Sequence, residues 1–449
     1  MTASAAVVGG GLAGITAALG LADAGFDVQL LEAKPRLGGL THSFRRGPLD
    51  VDNGQHVFMR CCTSYRGLLD RLGVAHLTTL QPRLDVPVVR AADARTARLR
   101  RDALPAPLHL ARALGRYRLL AMPDRVRAVR AALALRLLDR VDPRLDERSF
   151  GDWLAAHAQS AAAVEGLWDL VGVATMNAPA SEASLAIAAT VFQLGLLTEA
   201  GAADIGWAQV PLQQLHGDAA ARALAAAGAS VRLRSGVRRL ARSAAGWTLT
   251  LADGALAADV VVLATDPRNA EHLLPGGALG LAAGWSRRLG SSPIVNLHLV
   301  FDRTVLTEPI LAGAGTPALW LFDRTRQAGL RSGQYVAVSL SAADALLAEP
   351  VGRLRERFTP VIHRMLPAAR DAALLDFFVT RERHATFRPA PGSARSRPPT
   401  GTRADGLFLA GAHCATGWPA TMEGAVRSGE AAVRAVLAAA RAAGAAVAA

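Results

Sequence analysis

The chain has 449 residues, of which 51% are hydrophobic, 19% charged and 5% aromatic. At roughly 150 residues per domain this is enough chain for two or three domains with a large core; that excludes a disordered protein, and three cysteines exclude a disulfide scaffold. The formal charge of +13 invites a nucleic-acid reading, but Lys34 is the only lysine, arginine is spread along the whole chain, and no nucleic-acid module is visible, so nucleic acid is not an expected partner.

The first elements form a βαβ unit. Ala5 to Val8 read as an apolar strand, followed by Gly9-Gly10-Gly11-Leu12-Ala13-Gly14, a helix over Ile15 to Ala24, and a second strand from Phe26 to Leu31 that closes on Glu32, 18 residues beyond Gly14. This is GxGxxG in the context the motif requires. Gly9 permits the tight turn, Gly11 lets a pyrophosphate approach the backbone, and Gly14 lets helix and strand pack closely. The helix start, at Leu12 and Ala13, presents N–H groups and a dipole to the phosphates, and Glu32 suits the adenosine ribose hydroxyls. The continuation, Glu32-Ala33-Lys34-Pro35-Arg36-Leu37-Gly38-Gly39, resembles the extended signature of the amine oxidase and phytoene desaturase flavoproteins. That resemblance implies FAD as cofactor, with Ala33, Arg36, Gly38 and Gly39 beside it. The arginine that closes the signature is Leu40 here, leaving Arg36, Arg45 or Arg46 to neutralise the diphosphate.

Further along, residues 95–148 hold 14 arginines against six acids, with apolar residues at helical spacing: Leu110, Leu114, Tyr117, Val126, Val129, Leu133 and Leu137. A basic amphipathic pattern of this kind lies on an anionic bilayer surface. The longest uncharged apolar stretch outside the C-terminal tail, between Glu182 and Glu199, is 16 residues, short of the roughly 20 that a spanning helix needs. Residues 218–228 read as a helix and Ser230 to Arg234 as a strand leading to Val237. Gly246 to Leu251, a turn at Asp253-Gly254, and a buried strand over Asp259 to Thr265 follow. Strand-like runs at Ile294 to Phe301, Tyr335 to Leu340 and Leu375 to Thr380 suit a second sheet. Near the end, an apolar strand from Gly406 enters the Gly-rich loop Gly411-Ala412-His413-Cys414, and a helix is expected to start near Pro419.

Val51-Asp52-Asn53-Gly54-Gln55-His56-Val57-Phe58, together with Thr416-Gly417-Trp418-Pro419-Ala420-Thr421-Met422-Glu423-Gly424, resembles the squalene-associated FAD-dependent desaturase family, the hydroxysqualene dehydroxylases of bacterial squalene and hopanoid synthesis. The resemblance covers nearly the whole chain. It implies a reductive dehydroxylation of a long-chain isoprenoid of the hydroxysqualene type, with reduced FAD as the hydride source and an electron donor that the sequence does not name. It also implies that the C-terminal helix start, at Thr421 and Met422, faces the flavin, and that Gly54, Gln55, Val237, Ala264, Gly411 and Ala412 lie along the cofactor. The acid usual at position 412 is alanine here. A hydroxyl leaves only if protonated, so a general acid is expected near the flavin. His56, His413 and Asp52 are the candidates. Cys61, Cys62 and Cys414 show no metal-ligand spacing and read as packing residues.

The expected fold class is α/β (α+β overall). A Rossmann-like FAD-binding domain is made from residues 1–75, 205–275 and 400–435. Inserted in it are a helical, basic, membrane-facing segment (76–204) and a substrate-domain sheet (276–399), and an Ala-rich tail (436–449) follows. No signal peptide is visible and the odd cysteine count fits a reducing compartment, so the expected place is cytoplasmic, peripheral on the inner face of the bacterial membrane. Two other readings stand beside this one. The first is a carotenoid-type desaturase or amine oxidase; the second, motivated by Leu40 and Ala412, is a non-catalytic isoprenoid-binding protein.

Overall fold

The computed structural model describes residues 2–243, 246–315 and 319–448. Five strands form an all-parallel sheet: β1 (Ser4–Val8), β2 (Asp27–Leu31), β3 (Ser230–Arg232), β4 (Val260–Leu263) and β5 (Leu407–Leu409), in the order β3-β2-β1-β4-β5. The run Val260-Val261-Val262-Leu263 is apolar without alternation, as a parallel strand covered on both faces must be. The chain leaves this sheet after β2 and again after β4, each time returning to it, so the turn after β1 and the loop after β5 end up on the same edge.

Four helices position the site: α1 (Leu12–Asp23), α2 (Thr63–Arg71), α3 (Met122–Arg136) and α4 (Met422–Ala448). Helices α1 and α4 pack closely because glycines face the contact. A Cβ on Gly20 would lie 2.7 Å from Val433 Cγ2, and one on Gly429 would lie 2.5 Å from the Ala13 carbonyl oxygen. Helix α4 starts at Met422 rather than near Pro419, because the Pro419 carbonyl closes a tight turn onto Thr421 N and the Thr421 hydroxyl then caps the helix by accepting from Gly424 N (3.1 Å). The Ala-rich tail expected from residue 436 is no separate element: α4 runs on to Ala448, and Val436 is still buried. Residue 449 of that expectation lies outside the described residues.

The second sheet has seven strands, in the order Leu374–Thr386, Ser292–Phe301, Gln334–Leu340, Leu319–Asp323, Ile310–Ala314, Asp85–Arg90 and Thr96–Arg100. The last two strands correct the expectation that residues 76–204 are helical. After a 3₁₀ turn at Ala75–Leu77, that segment runs through Thr78–Leu80, Asp85–Arg90 and Thr96–Arg100 as strands, and is helical again only from Leu108. Val86 and Val88 are buried on alternate positions, a period-two signal that the arginine count masked. Three π-helical turns, 164–168, 193–197 and 213–218, interrupt the helices, a feature that recurs at functional sites. Among the described residues no helix is long and apolar enough to cross a membrane.

Candidate active site and cofactor cradle

The turn after β1 carries its glycines for steric reasons. Gly9 has φ +112°, and a Cβ there would lie 2.4 Å from the Ala264 carbonyl oxygen at the end of β4; a Cβ on Gly14 would lie 1.9 Å from the Gly9 carbonyl oxygen. Gly11 caps α1 without any side-chain hydrogen bond, so the first N–H groups of the helix, including those of Leu12 and Ala13, are left to a ligand. Opposite it stands Gly39 (φ +57°), whose Cβ would lie 2.8 Å from the Gly11 Cα. Two bare backbones therefore face each other where a diphosphate must approach. Gly38 (φ +104°) ties this second turn to the first through its N–H to the Gly10 carbonyl (2.8 Å).

Glu32 is buried and its carboxylate is held in place: Oε2 accepts from Gly10 N and Oε1 from Lys34 N, both at 2.6 Å. The loop that carries Val237 closes over this end, with Ser235 N donating to the Glu32 carbonyl (2.8 Å) and Gly236 packed against Ala33. Of the three arginines offered in place of Leu40, Arg45 pairs with Asp50 (2.9 Å) and Arg46 pairs with Asp376 (3.1 Å) while lying over the Phe378 ring. Among the described residues Arg36 has no carboxylate partner, and its charge is felt at His42. Leu40 itself is exposed.

The segment from Asp52 to His56 is anchored at its first residue. Asp52 Oδ2 pairs with Arg324 (2.5 Å), and Oδ1 accepts from the Ser43 hydroxyl (2.6 Å) and from Leu212 N (3.0 Å). Both side chains are buried, and removing one partner of such a pair costs about 3–5 kcal/mol. A carboxylate with both oxygens so engaged holds the loop. His56 is different. Its Nδ1 lies 3.1 Å from the Gly54 carbonyl, while Nε2 has no hydrogen-bond partner among the described residues. Burial, aided by the Arg324 charge, lowers its pKa below 6.5, against the opposing pull of the Gly54 carbonyl and Asp52. Next to it stands His42, Nδ1 3.1 Å from the Gly39 carbonyl, with a pKa brought down to about 4 by burial and by Arg36.

His413 belongs to another neighbourhood. Its ring stacks on Trp285 (centroids 6.0 Å apart) and fills the space a Cβ on Gly411 would need, and burial lowers its pKa to about 4, with Arg397 contributing. The Arg397 guanidinium, buried over the Phe387 ring, donates to the carbonyls of Ala412, His413 and Cys414 and so clamps the loop after β5. The Gly411 N–H is taken by the buried Ser428 hydroxyl of α4 (2.7 Å). The structure thus brings His56 together with His42 and Asp52, and leaves His413 with Trp285 and Arg397.

Reasoning from sequence missed His42, Arg324, Arg397, Asn296 and Glu423. His42 was visible, a titratable residue three positions past Gly39. Glu423 is buried and accepts from Ser64 N (3.2 Å), Tyr65 N (2.7 Å) and Arg427 Nε (2.6 Å), which fastens the start of α2 to α4. Among the buried polar atoms without a partner are Gln55 Nε2 and Asn296 Oδ1, near the Gly54 segment, and His413 Nε2 in the loop after β5. Asn296 Nδ2 would lie 3.7 Å from a Cβ on Gly54. An orphan donor or acceptor in a protein interior calls for a water, an ion or a ligand, and a flavin dinucleotide is a ligand that suits the glycine cradle and the fixed Glu32.

Sheet, cradle and ribose-type acid are those of a dinucleotide-dependent enzyme. The family described as flavin containing amine oxidoreductase matches residues 12–437. A hydroxysqualene dehydroxylase of Sinorhizobium fredii is 30% identical over 94% of this chain and 95% of its own length. A probable zeta-carotene desaturase of Synechococcus elongatus is 26% identical over 96% of this chain and 98% of its own. In fold, the chain is similar to cyclohexylamine oxidase from Brevibacterium oxydans, with a TM-score of 0.73 at 20% identity over 97% of this chain and 99% of the other. The chain belongs to the flavin-containing amine oxidoreductase family, and it is an FAD-dependent oxidoreductase.

Proposed function

We propose that this enzyme removes the hydroxyl of hydroxysqualene, or of a closely similar long-chain isoprenoid alcohol, giving squalene and water. What supports the reading is the near full-length match to a protein named for this reaction, joined to an imidazole fixed beside the cofactor segment. Bound FAD in its reduced state supplies the hydride. Gly9, Gly11, Gly14, Gly38, Gly39 and Glu32 would hold it through backbone amides and the ribose acid, and Arg36 would take the place of the arginine lost at Leu40. His56 carries the proton. With Nδ1–H directed at the Gly54 carbonyl, Nε2 is the nitrogen that gains and gives the proton, and a pKa held below 6.5 makes the imidazolium a stronger acid toward a poor leaving group. The C–O bond would break as water leaves, and the resulting allylic cation would take the hydride.

Anaerobic incubation of the reduced protein with hydroxysqualene should yield squalene and the oxidised flavin spectrum in equal amounts. Absence of squalene, with a longer polyene formed from zeta-carotene instead, would replace this reading with a desaturase. Arg36→Gln is expected to raise the Kd for FAD by about tenfold, the loss of one charged contact to a phosphate, measured by flavin fluorescence on titration. Unchanged affinity would show that backbone amides alone hold the diphosphate.

The basic segment supports a membrane-facing entrance for so apolar a substrate. Helix α3 buries Ala128, Ala131 and Leu135 but exposes Met122, Val126, Val129 and Leu133, and the stripe continues through Leu137 and Val141, each 84% exposed. Arg127, Arg130 and Arg136 flank it. An exposed apolar row edged with arginines suits an anionic bilayer surface. Flotation with vesicles containing anionic lipid is expected, and Val126→Ser/Val129→Ser/Leu133→Ser should remain at the bottom of the gradient. A wild-type protein that binds neither anionic nor neutral vesicles would leave the helix as a solvated face.

A further inference from the structure

Four guanidinium groups meet in a cleft that neither the cofactor nor the proposed reaction uses. The cleft, about 490 Å³, lies between the start of α2, the segment beyond α3 and the start of α4, and it is lined by Arg60, Arg66, Arg140, Arg427, Glu199 and Trp418 among others. Four cations face one carboxylate there. Two of the arginines are pre-positioned. Arg60 gives its Nε to the buried Asp204 (2.9 Å), and Arg427 gives its Nε to the buried Glu423 (2.6 Å) while lying over the Trp418 ring (4.6 Å). Their Nη1 groups have no hydrogen bond among the described residues. Arg66 and Arg140 have no carboxylate within ion-pair distance among the described residues; Arg66 Nη1 reaches only the Arg60 carbonyl (3.2 Å).

Arg66 and Arg140 add two unpaired cations beside the two paired ones, and a multiply charged oxyanion balances that excess while using the free N–H groups. Arg60 and Arg427 are already oriented, each with Nη1 left to donate to a phosphate oxygen, so little ordering of these two remains to be done on binding. We propose that this cleft is a binding site for a phosphate group, borne by a lipid head group or free in solution. Arg140 stands between Leu137 and Val141, the most exposed members of the apolar stripe, so the cleft opens where that stripe ends. A phosphate in the cleft with acyl chains along the stripe would satisfy both surfaces, which favours the lipid-borne source.

The site is tested by calorimetric titration of the FAD-loaded protein with two soluble probes, dihexanoyl-phosphatidylglycerol below its micelle concentration and inorganic diphosphate. The variant Arg66→Gln/Arg140→Gln removes the two unpaired cations and leaves the buried acids with their partners. Binding of phosphatidylglycerol, weakened about tenfold or more in the variant, is the expected result and assigns the lipid source. Binding of diphosphate alone, with the same loss, also supports a phosphate site but assigns the soluble source. No binding of either probe up to millimolar concentration, or affinities unchanged in the variant, overturns the proposal. The variant should keep its flavin and its turnover in detergent. A wild-type protein that binds the probe but makes no squalene would lose only the reaction assigned above.

Discussion

His56→Ala is expected to lower single-turnover oxidation of the reduced enzyme by hydroxysqualene by about 10²–10⁴-fold, the usual worth of a positioned acid, while the protein keeps its bound flavin. Retention is expected because among the described residues the ring makes one hydrogen bond, to the Gly54 carbonyl, and none to Glu32 or to the glycine turns. The pH dependence follows from the same geometry. The acid is the imidazolium, and its pKa is depressed, so the rate should be highest on the acid side and fall as pH rises through a value below 6.5. His56→Gln, which can hydrogen-bond but not donate a proton of that acidity, should remove the pH dependence along with most of the rate. A rate unchanged by either substitution would sink the assignment. In that case His42 becomes the next candidate, since it lies beside His56 and its pKa is likewise lowered by burial.

The parallel sheet could be read along the chain because each of its parts is a local pattern: an apolar strand, a glycine turn whose side chains would collide, a helix, an acid at a fixed distance. The return of the chain to that sheet through β4 and β5 was legible for the same reason, as two apolar strands each followed by a turn. What could not be read is contact between distant residues. Asp52 looked like a candidate acid as a titratable group expected near the flavin, but Arg324, 272 positions away, pairs with it. Nothing near Arg324 in the sequence marks it for that role. Likewise the arginines of residues 95–100 suggested a helical surface, whereas Asp85–Arg90 and Thr96–Arg100 are the last strands of the second sheet, joined to it by the parallel pairing of Ile310–Ala314 with Asp85–Arg90. The two missing cofactor side chains, at Leu40 and Ala412, weigh less than they did in the sequence. Glu32 is locked by two N–H groups, the α1 start is left uncapped, and Arg397 rather than an acid organises the loop at Ala412.

Folding stability is expected to fall steeply below about pH 6.5, through two histidines that are remote from any stabilising carboxylate. His216 is fully buried, with Nε2 2.8 Å from the Tyr65 hydroxyl, and desolvation lowers its pKa to about 3. His298 is also fully buried, held between the Tyr335 hydroxyl (2.6 Å) and Thr380 Oγ1 (3.0 Å) and stacked on Phe378, and burial with the nearby Arg46 charge lowers its pKa to about 3. In the unfolded chain both titrate near 6.5. Between those values the unfolded state binds more protons, so stability rises with pH in this window, is complete above about pH 7, and is lost as pH falls. Each group forfeits about 1.4 kcal/mol per pH unit, so the pair removes about 4 kcal/mol at pH 5, a large share of the 5–15 kcal/mol typical of a folded protein. Urea midpoints measured at pH 7.5, 6 and 5 should show the loss, and His298→Gln, which can still bond to Tyr335 and Thr380, should lessen the slope by that one residue's share, since His42, His56 and His413 are lowered as well. A midpoint that stays level between pH 7.5 and 5 would mean that water or a rearranged Tyr335 and Tyr65 solvates the two imidazoliums in place. The acid branch of the His56 rate profile must therefore be read above about pH 5, where the fold still stands.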